Sequence, residues 1–210
     1  MACCWRSLTT MGTLMRRTLL SGLLFALAFS FGQPLAFSEA LPDEEGIWAA
    51  LKSGGYVVLM RHAITEPGIG DPPGFTLDDC RTQRNLSAQG RIDAQHIGEA
   101  FRRRGVPVSE VLSSRWCRCL ETAKLAFGSV TPAPMLDSMF RETGTAGEEK
   151  MRQVFAAAKR RPSAENLVFV THNQNILALT GLSVASGEMV IAVPKGDEQF
   201  KVIGRLSIER

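Results

Sequence analysis

Tyr56-Val57-Val58-Leu59-Met60-Arg61-His62 and Leu167-Val168-Phe169-Val170-Thr171-His172 have the same form: a short apolar run that ends in a histidine. The chain has three histidines in 210 residues, so two of the three directly follow such a run. Short, unbroken apolar runs read as strands buried on both faces. Open α/β sheets place their ligand sites at the carboxyl ends of parallel strands. Two imidazoles delivered there, one beside an arginine, point to a phosphate-handling centre.

Around these runs, strands and helices alternate. Residues 43–51 read as a short acidic-led helix, broken by Gly54-Gly55. Residues 63–85 form a loop rich in Gly, Pro and Asp, long enough that it must be functional or tied down. Ser87 is a natural N-cap for a helix over 87–104, with Ile92, Ile97, Ala100 and Phe101 along one face and a stop at Gly105. A strand is expected at 110–113, a helix at 115–127 and a short strand at 135–136. Met151, Val154, Phe155 and Ala158 follow helical spacing in a helix over 146–159. A helix at 173–180 and a hairpin over 189–193 and 200–208 close the chain. This order predicts an α/β fold, a three-layer α/β/α sandwich with a mostly parallel central sheet.

The first 40 residues read as a leader outside the fold. Arg16-Arg17 precede an apolar stretch over 19–31, followed by small and polar residues around Ala36 and Ala40. The stretch is short for a membrane span, which needs about 20 residues. Cleavage is expected after Ala40, with Ala36 as the second choice, leaving one catalytic domain over 41–210. The protein is then exported, to the periplasm, and touches a membrane only through an uncleaved leader. Cys3 and Cys4 leave with the leader; Cys80, Cys117 and Cys119 remain. In an oxidising compartment these make one disulfide and one free thiol, with Cys80 paired to Cys117 or Cys119. Their spacing suits no zinc site. The net charge of +3 is mild and dispersed, so no nucleic-acid groove is read from it. Arg102-Arg103-Arg104 and Lys159-Arg160-Arg161 offset the negative ends of helix dipoles.

Neutral imidazole attacks phosphorus well, and His62 can carry a phosphoryl group covalently. The neighbouring Arg61 disfavours its protonation and offers a planar fork to phosphoryl oxygens. His172 would stabilise charge on the equatorial oxygens. Ser113-Ser114-Arg115-Trp116-Cys117-Arg118 follows a strand and opens a helix, whose free N–H groups suit an anion. Arg115 and Arg118 are three apart and share a side of that helix.

Taken together, Leu59-Met60-Arg61-His62-Ala63, Leu86-Ser87-Ala88-Gln89-Gly90, Ser114 to Arg118 with Glu121-Thr122-Ala123, and Val170-Thr171-His172-Asn173 resemble the histidine phosphatase superfamily, also called phosphoglycerate-mutase-like. The resemblance implies that His62 is the nucleophile, that Arg61 and Arg118 bind the phosphate, and that His172 is the second pocket histidine. It implies no metal and no other cofactor. Arg115 falls where the family has a non-catalytic residue and ranks below Arg118 as a substrate contact.

The chain departs from the family at the general acid. Ser138 stands where many members have a glutamate. Leaving-group protonation needs a carboxylic acid within reach. The candidates are Glu188, then Glu142, then Asp137. Arg84 is placed at the substrate entrance, and His96 is read as structural. The expected activity is hydrolysis of a small phosphate ester through phosphohistidine. A phosphomutase and a non-catalytic phosphate binder are the alternatives.

Overall fold

The computed structural model describes residues 42–140, 144–196 and 198–208; the expected leader and Glu142 lie outside them. The first apolar run forms β1 (Val57–Arg61) and the second forms β4 (Asn166–Thr171). They pair in parallel from Val57 opposite Leu167 to Arg61 opposite Thr171. β4 pairs in parallel with β2 (Val108–Ser113), and β2 with the two-residue β3 (Thr131–Pro132). β5 (Met189–Lys195) and β6 (Gln199–Leu206) add an antiparallel hairpin to the free side of β1. The order β3-β2-β4-β1-β5-β6 is the mostly parallel sheet that the alternation of elements predicts.

Helices cover both faces. Val58 and Met60 point into a core with Ile47 and Trp48 of α1 (Glu44–Ser53), Ile97 and Phe101 of α2 (Ala88–Arg103), and Ala123 of α3 (Cys117–Phe127). Val57 and Leu59 point the other way, toward Val154 and Phe155 of α4 (Thr145–Lys159) and Ile176 of α5 (Asn173–Thr180). Alternate side chains of one strand thus serve two cores, and this is why its sequence is apolar throughout. Asp43 caps α1 by accepting from the Gly46 N–H at 2.9 Å, and Ser87 caps α2 through the Gly90 N–H at 3.0 Å.

Several boundaries differ from expectation, most by one or two residues, and two of the differences have a visible cause. α3 begins at Cys117 rather than at residue 115, because the Arg115 N–H donates to Asp137 Oδ1 at 2.8 Å and Trp116 stays extended at its N-terminus. Residues 135–136 are not a strand. Pro134 opens a 3₁₀ turn over Pro134–Leu136, and the edge strand lies just before it at Thr131–Pro132.

α2 and α3 approach closely enough to exclude a side chain. A Cβ at Gly98 would lie 2.0 Å from the Ala126 carbonyl oxygen, and one at Gly90 would lie 1.9 Å from that of Ile64. Because α3 carries Arg118, this spacing also sets the position of the site. Gly98→Ala is expected to destabilise the protein by about 1–3 kcal/mol through overpacking, read as a lower urea midpoint with an unchanged slope.

Candidate active site

The sheet register builds the site. Arg61 and Thr171 are partners in parallel strands, so the next residues, His62 and His172, emerge level with each other. The His62 N–H donates to the Thr171 carbonyl at 3.0 Å, and the two rings sit 5.5 Å apart between centroids. β2 ends beside β4 and delivers Ser114, whose N–H donates to the Val170 carbonyl at 2.9 Å. Ser114 Oγ lies 2.9 Å from His172 Nε2. Three adjacent strand ends thus converge on one buried corner, with His62 4% and His172 2% exposed.

The state of the His62 ring follows from its surroundings. Its Nδ1 lies 2.8 Å from the Ala63 carbonyl oxygen. A carbonyl can only accept, so Nδ1 holds the proton and Nε2 keeps its lone pair. α3 fixes this arrangement: the Ala63 N–H donates to Thr122 Oγ1 at 3.1 Å, and that hydroxyl donates to the Arg118 carbonyl at 2.7 Å. Burial brings the His62 pKa down to about 3; the Ala63 bond opposes this, and the charges of Arg118, Arg61 and Arg84 add to it. Burial, with His62, Arg118, Arg61 and Lys150 nearby, also holds His172 well below the ordinary imidazole range. Both imidazoles are therefore neutral near pH 7.

Arg61, Arg84 and Arg118 surround this corner. Arg61 Nη1 donates to the Val184 carbonyl at 2.7 Å, and Arg84 Nη1 to Thr65 Oγ1 and to the Gly68 carbonyl, both at 2.8 Å. Arg118 Nη1 and Nη2 donate to the two oxygens of Asp71 at 2.7 and 3.3 Å. Burial and mutual repulsion lower the pKa of Arg61 and of Arg84, but guanidinium has proton affinity to spare and stays charged. Among the described residues, four buried side-chain N or O atoms have no hydrogen-bond partner, and three are the Nε atoms of these arginines. Buried donors are normally paired. Three such N–H groups beside a neutral imidazole make a site suited to an oxyanion.

The structure thus brings His62, His172, Arg61, Arg118 and Arg84 together. It sets Arg115 and Glu188 apart. Arg115 precedes α3 instead of sharing its face with Arg118, and its side chain is held by Asp137, with Nε 2.8 Å from Oδ2. Glu188 Oε2 accepts from the Ala185 N–H at 2.7 Å, and Oε1 accepts from Arg205 Nε at 2.6 Å. It lines a separate surface pocket of about 250 Å³ with Asp93, His96 and Ile97. Asp137 is buried, and both its oxygens are engaged by Arg115. The expected helix-start donor at Cys117 is also taken, by Gln83 Oε1 at 3.0 Å.

Asp71 is a site residue that the sequence reading missed. It comes from the 63–85 loop, where it lies in a run of Gly and Pro without periodicity. Its environment could have been inferred only from the tethers of that loop. Cys80 is disulfide-bonded to Cys117, and Gln83 Nε2 donates to the Thr76 carbonyl at 2.9 Å. The disulfide selects the first of the two expected pairings and leaves Cys119 as a buried thiol. Burial pushes that thiol up to about 12, so it is protonated beside His172.

The family profile described as histidine phosphatase superfamily (branch 1) matches residues 57–145. Among solved structures, the chain is similar to the alpha-ribazole phosphatase of Shigella flexneri, with a TM-score of 0.51, 17% identity, and 70% of this chain and 95% of that one covered. It is similar to a mycobacterial glucosyl-3-phosphoglycerate phosphatase, with a TM-score of 0.51, 17% identity, and coverage of 70% and 96%. It is also similar to the protein histidine phosphatase SixA complexed with tungstate, with a TM-score of 0.50, 14% identity, and coverage of 73% and 97%. No curated protein matches the sequence.

The depressed His62 pKa has a consequence for stability. Below the ordinary imidazole pKa of 6.5 the unfolded chain binds a proton that the folded protein refuses until about pH 3. Stability is therefore complete above pH 6.5 and falls as the pH drops toward 3. His62 alone is expected to cost about 2 kcal/mol at pH 5. Urea unfolding of the protein and of His62→Asn at pH 7.5 and 5 checks this, and the variant should show the smaller loss between the two.

Proposed function

We propose that the chain is a phosphatase of the histidine phosphatase superfamily, whose profile matches residues 57–145, and that it hydrolyses a small phosphate monoester through a phosphohistidine on His62. The observation that carries this reading is the set of three buried, unpartnered guanidinium N–H groups around an imidazole whose Nε2 is free and unprotonated. A phosphoryl dianion would accept from those donors with its non-bridging oxygens. Nε2 attacks phosphorus while the bond to the ester oxygen breaks. Water then attacks the phosphohistidine and releases inorganic phosphate. Arg61, Arg84 and Arg118 stabilise the charge on the transferred group in both steps. His172, neutral and held by Ser114, is a hydrogen-bonding partner at the same pocket.

We further propose that residues 1–40 are a cleaved leader and that the enzyme works in the periplasm. The Cys80–Cys117 disulfide supports this, because cytosolic thiol pools keep such cysteines reduced. In that setting, sugar phosphates of the cell envelope are the first substrates to offer.

Purified protein is expected to release phosphate from p-nitrophenyl phosphate and from members of a sugar phosphate panel. A phosphoenzyme labile in acid should be trapped on the protein and be absent from His62→Ala, with turnover down at least about 10³-fold. Isomerised product with little free phosphate would indicate a mutase. Stabilisation by phosphate without turnover would indicate a binder. Sequencing the N-terminus of the exported protein is expected to begin at Leu41, and a retained Met1 or Met15 would overturn the leader assignment.

A further inference from the structure

We infer that Asp71 is the proton donor to the leaving group, held on Arg118 until the substrate's phosphoryl group arrives. This rests on the phosphohistidine reading above. Departure of an alkoxide from phosphorus is slow without a proton, so an acid must stand within reach of the ester oxygen. Glu188 is bonded to Arg205, and Asp137 to Arg115 and, at 3.4 Å, to the Ser114 hydroxyl beside His172; neither of those arginines is among the cations that act on His62. Asp71 is bonded to Arg118, which is among them.

The carboxylate of Asp71 sits inside the cradle. Oδ1 accepts from Arg118 Nη1 at 2.7 Å and from the Arg84 N–H at 3.0 Å, and Oδ2 accepts from Trp116 Nε1 at 3.0 Å and Arg118 Nη2 at 3.3 Å. Its side chain is 8% exposed and that of Arg118 is 6%. The groups facing it are therefore the Arg118 guanidinium from α3, the charge of Arg84 from its own loop and the Trp116 indole. Burial raises the affinity of Asp71 for a proton, but the bonds to Arg118 and to the Arg84 N–H outweigh it and hold the free carboxyl below its ordinary range.

Substrate reverses this balance. A phosphoryl dianion brings negative charge to the guanidinium groups that had stabilised the carboxylate. Like-charge repulsion in a buried site then favours uptake of a proton from solvent by Asp71. As the Nε2–phosphorus bond forms, the phosphorus–oxygen bond of the ester breaks. The electron pair stays on the departing oxygen, and the proton of Asp71 moves to it, so a neutral alcohol leaves. Asp71, again a carboxylate, accepts a proton from the water that attacks the phosphohistidine. Phosphate is released and the acid is restored.

The test compares two esters that differ in their need for a proton. For Asp71→Asn, kcat/KM on glycerol phosphate, whose alkoxide needs protonation, is expected to fall about 10²–10³-fold, and on p-nitrophenyl phosphate less than about 5-fold. The same variant should bind sulfate at least as tightly as the native protein, because the competing carboxylate is gone; a merely structural loss would weaken it. Asp71→Ser gives the same readings if the Asn variant does not fold, and Asp71→Glu should recover part of the glycerol phosphate rate. Equal losses on both esters, or a leaving-group dependence that appears in Asp137→Asn instead, overturn the assignment of Asp71. If His62→Ala keeps the native rate on p-nitrophenyl phosphate, the phosphohistidine reading itself fails and the role of Asp71 fails with it.

Discussion

Three guanidinium groups and two imidazoles share one buried corner of the sheet, and the crowding of positive charge there governs the rest of the site. Arginine does not give up its proton, so the imidazoles do. His62 is neutral because it is buried beside Arg118, Arg61 and Arg84, and neutrality is what leaves Nε2 nucleophilic. The cations are held in place by fixed acceptors: the Val184 carbonyl for Arg61, Thr65 and Gly68 for Arg84, and Asp71 for Arg118. Each arginine is thereby oriented while retaining one buried N–H without a partner. The cations that add to the effect of burial on the histidines also make the corner receptive to a dianion.

Much of the architecture was legible in the residues because the sheet is buried on both faces. Residues 57–60 and 167–170 lack alternation, since successive side chains enter two different cores. That pattern fixed the strand type, and the strand type fixed where the two histidines would emerge. Ser87 and Asp43 announced their helices because a capping hydroxyl or carboxylate is a local signal. The beginning of α3 was not legible. Whether Arg115 starts a helix depends on the carboxylate of Asp137, 22 residues away, which takes its N–H.

The site divides along the same line. Arg61, His62, Arg118 and His172 lie in or next to regular elements, so their positions followed from the elements. The carboxylates lie in loops, where position is set by partners distant in sequence. Glu188 lies just before β5, but its side chain is taken by Arg205 on β6, whose Nε donates to Oε1 at 2.6 Å. Asp71 gave no sign in a run of glycine and proline, yet Arg118, Trp116 and the Arg84 backbone all converge on it. The loop that carries it is bonded to the start of α3 through Cys80 and Cys117. In the chain-entropy view, closing a span of 37 residues this way contributes about 4 kcal/mol to stability.

Cys119 stands two positions from Cys117, near enough in sequence to compete for the same partner during oxidation. Scrambling of a disulfide requires a thiolate that can reach a sulfur. Sealed under the sheet and pushed up to about 12, the Cys119 thiol is ionised in only about one molecule in 10⁵ at neutral pH. Once the domain has closed, the odd sulfur is thus a spectator, and the crosslink cannot migrate along the helix.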